Sequence, residues 1–251
     1  MNLSNLYKNF TKDNIPEWMC PTCEKSLLRL EEGSFKSSES GQSKRGHKHE
    51  GWGFDWVVYR FNCVLTCTNS QCLETVMCVG SGLVDEFYDI DDYGYSTQEY
   101  CDYFKPKFFY PALSLFNIHN DVPKSVRDSL VDSFSMFFCN PPASMNHVRV
   151  ALESLMTELK VKRYKTVNGS RKLIFLHQRI ELLPSKYEDL KERLLAAKWL
   201  GNAGSHDGSN ISTEDVVNAY AIVEDVLNEI YDNKKSHIKK MAKKINKKKG
   251  P

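Results

Sequence analysis

Two pairs of cysteines carry the strongest chemical signal in this chain. Cys20-Pro-Thr-Cys23 and Cys67-Thr-Asn-Ser-Gln-Cys72 each set two thiols on a tight turn beside a strand-like segment. Zinc takes four thiolates or imidazoles at the corners of a tetrahedron. A spacer of two residues lets neighbouring thiolates reach one ion without strain, and a spacer of four also fits. The spacing predicts one structural Zn2+ held by Cys20, Cys23, Cys67 and Cys72, in two knuckles joined as a zinc ribbon. Cys63 competes for a place in the second pair, with His47 and His49 behind it, and separate buried thiols are the plainer alternative. Four protein ligands leave no open coordination position, so such an ion holds the fold together and does not catalyse.

A second stretch, Leu194 to Asn210, reads LLAAKWLGNAGSHDGSN. Its apolar residues recur near a helical period and the expected helix breaks at Gly201, Gly204 and Gly208. Gly and Asn tolerate the left-handed conformation that ends helices, so Asn202, Ser205 and His206 are expected on a sharp turn between two helices. An imidazole near its ordinary pKa suits proton transfer and phosphate contact equally. A polar connection with no chemistry accounts for the same residues.

The elements that must position these groups change character along the chain. Residues 1 to 12 read as a short amphipathic helix through Leu3, Leu6, Tyr7 and Phe10, stopped before Pro16. A strand is expected over Ser26 to Leu30. Residues 33 to 53, rich in Gly, Ser, Lys and His, read as a mobile insertion between two strands. Phe54 to Thr66 has the aromatic and β-branched composition of a strand, with Leu73 to Val79 returning. Residues 80 to 106 are acidic and rich in tyrosine, the pattern of a solvated face. After Pro123 helices are expected over Lys124 to Phe138, Ala143 to Tyr164, Lys172 to Leu182, Lys186 to Leu200 and Thr213 to Asp232, which argues a bundle.

The fold class expected is α+β, with a β module over residues 1–110, a helical bundle over 111–233 and a basic tail over 234–251. The 251 residues are 41% hydrophobic and 26% charged, an ordinary composition for a folded protein. The net charge of +2 conceals an asymmetry, because residues 234–249 hold nine lysines and no acid, leaving 25 bases against 32 acids in residues 1–233. Within the tail Lys239, Lys240, Lys243 and Lys244 are the expected phosphate contacts, and Ile238, Met241 and Ile245 give it a narrow apolar stripe. No run of apolar residues has the length of a signal peptide or membrane span, so a cytosolic protein with no membrane partner is expected. Phosphate-binding loops with Lys-Ser or Lys-Thr, His-Glu-x-x-His, Gly-x-Ser-x-Gly and a nuclease acidic pair with Glu-x-Lys were sought without a match.

The order of the CPTC turn, Phe108-Phe109-Tyr110-Pro111, Asn146 to Glu153, Leu176 to Leu183 and Gly-Asn-Ala-Gly-Ser-His resembles a DUF-type family often fused to restriction endonuclease subunits. That family is regarded as a branch of the HEPN superclass of four-helix-bundle proteins. The resemblance covers roughly Cys20 to Tyr231. It implies a HEPN-like bundle that self-associates, a bacterial defence setting with a restriction or defence-system protein as partner, and RNA or DNA as ligand. Active HEPN ribonucleases use an Arg followed four to six residues later by His, often with Asn straight after the Arg, at a dimer interface. Their credited chemistry is metal-independent: the 2′-OH attacks the adjacent phosphate, His moves protons and Arg stabilises the charge on phosphorus. Asn202 and His206 match the Asn and His, whereas Gly201 stands in the place of the Arg. Arg149 and Arg193 are the candidates to replace it, and Glu153 is either the i, i+4 partner of Arg149 or part of a polar cluster around Asn202 and His206. The expected function is RNA binding or RNA cleavage, the rival a non-catalytic interaction module.

Overall fold

The aromatic and β-branched run over Val58–Cys67 forms the central strand, β3, of a computed structural model of the chain. The structure describes residues 7–90, 96–203, 211–232, 241–242 and 244–248. The fold is mixed α+β, in two compact units, Met1–Ser114 and Leu115–Pro251.

In the first unit β3 pairs antiparallel with β4 (Thr75–Ile90), and β4 with β5 (Ser96–Tyr110). The other edge of β3 is shared by β1 (Leu28–Leu30) at its C-terminal end and β2 (Lys36–Glu39) nearer its start. Alternate residues of β3, Phe61, Cys63, Leu65 and Cys67, are buried, which is the period of a strand with one covered face. Trp18 is 0% exposed. Its ring meets Phe109 edge-on at 4.8 Å and Phe10 at 5.6 Å.

Two expectations for this unit change, and a third span, exposed as expected, gains regular structure. Phe10 is not helical but bridges to Phe104, while Leu3 and Leu6 lie outside the described residues. The span 33–53 carries regular structure, β2 and the short helix α1 (Gly41–Gly46). Its polar residues satisfy one another: Ser40 caps α1, the buried Ser43 hydroxyl donates to Glu39, and the Glu39 carboxylate meets His47 at 2.8 Å. No apolar period was needed, so none was visible. The acidic span 80–106 forms the outer part of β4 and most of β5. Exposed Phe87, Tyr88 and Tyr100 interrupt its charges on a ribbon that buries neither face there, which hides the two-residue alternation.

The second unit packs the longer helices α2 (Lys124–Met136), α3 (Pro141–Glu158), α5 (Lys191–Ala203) and α6 (Thr213–Tyr231), with the short α4 (Leu176–Glu181) before α5. Asn140 caps α3 through the N–H of Ala143, with proline at the first helical position. Ser212 and Asp215 close a reciprocal capping box at α6. The Tyr220 hydroxyl of α6 lies 2.8 Å from both Ser133 of α2 and Ser144 of α3, so one phenol ties three helices inside the core.

Several helix boundaries move. The residues expected to prolong α3 to Tyr164 and to start a helix at Lys172 instead pair as strands β6 (Tyr164–Val167) and β7 (Ser170–Leu173). Lys160, with φ of 63°, ends the α3 segment in the left-handed conformation. Asn168 and Gly169, with φ of 51° and 75°, make the hairpin turn. At another boundary α5 runs through Gly201 to Ala203, so Gly201 does not end it. It is buried against α3, where a methyl group added to it would lie 3.6 Å from Arg149 Cβ and 3.7 Å from Met145 O.

Candidate metal centre and cationic cluster

Both cysteine turns are built by backbone hydrogen bonds that leave the thiols facing one point. In the first, Met19 bridges to Leu27, the Cys20 N–H donates to Ser26 O at 2.8 Å, and Glu24 turns with φ of 50°. In the second, the Cys67 N–H donates to Glu74 O at 2.9 Å, the Cys72 N–H to Asn69 O at 2.9 Å, and Leu73 turns with φ of 51°. The pairing of Leu28 with Cys67 brings the two turns together, and the Thr22 hydroxyl donates to the Glu74 carboxylate across them.

The four sulfurs lie within 4.8 Å of one another, with Cys20 to Cys72 at 3.8 Å and Cys23 to Cys67 at 3.6 Å. A tetrahedron with metal–sulfur bonds of ~2.3 Å has edges of ~3.8 Å, so the set fits a single ion of that size. Burial pushes the Cys20 thiol up to about 12, whereas the N–H of Lys25 brings Cys23 down to about 6. The Asn69 N–H also donates to Cys67 Sγ at 3.4 Å. Cys63 does not belong to the set. It faces Cys78 across β3 and β4, buried, and each thiol perturbs the other.

The residues assigned to catalysis divide. Arg149 on α3 is the neighbour of Gly201, the residue that precedes Asn202 in the chain. The backbone of Asn202 continues α5, but its side chain and all of His206 lie outside the described residues. Arg193 does not point to this place: its guanidinium is held by Asp225 and Glu229 of α6.

Glu153 pairs with Arg179 of α4 at 2.7 Å and not with Arg149. Arg179 is 1% exposed, and it also donates to Glu153 O at 2.9 Å, Thr157 Oγ1 at 2.9 Å and Val161 O at 3.2 Å. It supplies hydrogen bonds to groups around the C-terminal end of α3, a structural use of a buried guanidinium. Nothing in the residue spacing points to this pair, because Arg179 and Glu153 lie 26 residues apart in the chain.

Lys198 is a residue that sequence reading missed. It is 6% exposed, one turn before Gly201, with its ammonium 3.2 Å from the centre of the Trp199 ring. Burial lowers its pKa, and the nearby Arg149 charge lowers it further. Neither cation forms a salt bridge among the described residues. The tail residues Lys239, Lys240 and Lys243 lie outside the described residues, and Lys244 is exposed on helical backbone beside exposed Met241 and Ile245. Among the described residues no helix is long and apolar enough to cross a membrane.

Two family models match the chain, Domain of unknown function (DUF8608) over residues 8–109 and Domain of unknown function (DUF4145) over residues 132–248. No curated protein and no solved structure matches it. Both matches are consistent with a DUF-type family, one model lying on the sheet and the other beginning within α2.

Proposed function

We propose that this chain is a nucleic-acid-linked component of a bacterial defence system, a zinc-ribbon module joined to a HEPN-like bundle that binds or cleaves RNA. The observation that carries the reading is the Arg149 and Lys198 pair beside Gly201. Two like charges near one another in a partly desolvated place, neither in a salt bridge among the described residues, favour an anion. A phosphodiester brought there would lie beside Gly201, which Asn202 follows directly in the chain and His206 five residues on. Arg149 then replaces the motif arginine that Gly201 lacks, stabilising charge on phosphorus while His206 moves protons. Glu153 is held by Arg179, which also donates to backbone carbonyls around the end of α3. Zinc at Cys20, Cys23, Cys67 and Cys72 is structural, supplying four bonds that clamp the two turns. Self-association through a face including Gly201 to His206 and phosphate contacts from Lys239, Lys240, Lys243 and Lys244 complete the reading.

The test is purified protein with a labelled single-stranded RNA and with duplex DNA, in wild type, Arg149→Gln and His206→Ala. Binding lost in Arg149→Gln, with cleavage abolished in His206→Ala at unchanged folding and zinc content, is the expected result. Wild-type protein that neither binds nor cuts any nucleic acid overturns it. The second reading, a non-catalytic protein-interaction module, is favoured by Phe175, Leu182 and Trp199, which are 65%, 55% and 56% exposed.

A further inference from the structure

The β6–β7 hairpin, with the residues leading into it, forms a cationic stretch that has no part in the site above. Between Lys160 and Leu173 there are six basic residues, Lys160, Lys162, Arg163, Lys165, Arg171 and Lys172, and no acidic one. All six are exposed, and none forms a salt bridge among the described residues. Lys165 stands directly opposite Lys172 in the strand register. Like charges facing across a ladder destabilise it, and a two-stranded sheet has little stability to spare. The hairpin therefore keeps an arrangement that folding alone disfavours. Its base is anchored by buried Val161 and Ile174, with the Ile174 N–H donating to Arg163 O at 2.9 Å. Tyr164 is flanked by guanidinium groups, with Arg171 at 3.8 Å and Arg163 at 5.9 Å from the ring centre. Contact with the ring holds the Arg171 fork in place and lowers the entropy lost when it binds.

We infer that this hairpin is a docking element for the phosphate backbone of a nucleic acid, contacting it without reading its sequence. The inference rests on the nucleic-acid reading and adds a second contact surface to it. Guanidinium forks suit phosphate oxygens, and an exposed two-stranded ribbon can follow a groove or a strand. A membrane surface fits less well, because the tip Thr166-Val167-Asn168-Gly169-Ser170 offers no Trp, Phe or Leu for insertion. The acidic β4–β5 ribbon of a second copy is the competing partner that charge alone would allow.

The experiment compares full-length wild type with the triple variant Lys165→Gln/Arg171→Gln/Lys172→Gln on a duplex DNA and a single-stranded RNA, titrated between ~50 and ~200 mM salt. Each phosphate contact contributes about 0.9 to the slope of log K against log salt on duplex and about 0.7 on single strands. The triple variant should lose roughly 2 to 3 of that slope and on the order of 100-fold in affinity at ~100 mM salt, equally across sequences. Lys165→Arg/Lys172→Arg, which keeps the charge, should retain the wild-type slope. The substituted side chains are exposed, and an unchanged circular dichroism spectrum and Tm establish that the triple variant folds.

Nucleic-acid binding by wild type with an unchanged slope in the triple variant sinks the hairpin and leaves the nucleic-acid reading standing. Wild type that binds no nucleic acid sinks both. Wild type that binds vesicles containing phosphatidylserine but no nucleic acid assigns the patch to membranes. A triple variant that loses only a self-associated state assigns it to a second copy.

Discussion

Cys72, Tyr220 and Gly201 each carry a consequence that one substitution can read. Cys72 stands 3.8 Å from Cys20 with Cys63 turned away toward Cys78. Cys72→Ser should therefore lower the zinc bound per chain, and a retained full complement would mean that another ligand takes its place. Tyr220 is 0% exposed, and its hydroxyl joins those of Ser133 and Ser144, which lie 3.0 Å from each other. Tyr220→Phe leaves the two serines still paired, so the loss should be one net hydrogen bond with its desolvation, about 1–2 kcal/mol in urea unfolding. A loss near zero would mean that water replaces the phenol. Gly201 is helical, and the contacts that an added methyl would make, at 3.6 and 3.7 Å, are ordinary ones. Gly201→Ala should therefore stabilise the second unit by about 0.5–1 kcal/mol, the difference in helix propensity. Destabilisation would mean that the packing of α3 against α5 at this point is closer in solution than these contacts allow.

Arg179 shows how a short helix is held. α4 has only six residues, too few to be stable by propensity. Its buried guanidinium reaches four acceptors on α3 and the segment that follows it. Arg179→Met keeps much of the volume but leaves carbonyls of Glu153 and Val161 without that donor. The expected cost is about 2–4 kcal/mol, and faster hydrogen exchange at the C-terminal end of α3 would locate it. Such tertiary hydrogen bonds are invisible in a sequence. What was visible had local causes. The Cys-x-x-Cys turn, the strand at β3, and the starts of α2 and α6 each follow from neighbours in the chain, and the structure has them. The β6–β7 hairpin was equally local, announced by Asn168-Gly169, yet the apolar positions on either side were read with a helical period. The end of α5 was misplaced for the opposite reason. Gly201 has the conformational freedom to end a helix, but its burial against Met145 and Arg149 keeps it inside one.

The two units should respond separately to loss of metal. The second unit has its own apolar core, with Leu130, Met145, Leu152, Leu155, Met156 and Ile180 each at most 1% exposed. It uses none of the four clustered cysteines. In the first unit the cysteines join the turn before β1 to the end of β3, directly beside Cys20 and the fully buried Trp18. Structural zinc contributes about 10–16 kcal/mol in small metal sites, comparable to the whole stability of a domain at about 5–15 kcal/mol. Chelation of zinc-loaded protein should consequently loosen the first unit and leave the helices folded. Ellipticity at the helical minimum should stay near its starting value, while tryptophan emission shifts to the red as Trp18 meets water. A thermal scan that had two transitions should keep the helical one, and adding back Zn2+ should restore the other. Loss of the helical signal together with the tryptophan shift would show that the bundle depends on the metal-bearing unit. A chelated protein with unchanged emission and both transitions intact would show that the four thiols do not need an ion to hold the sheet.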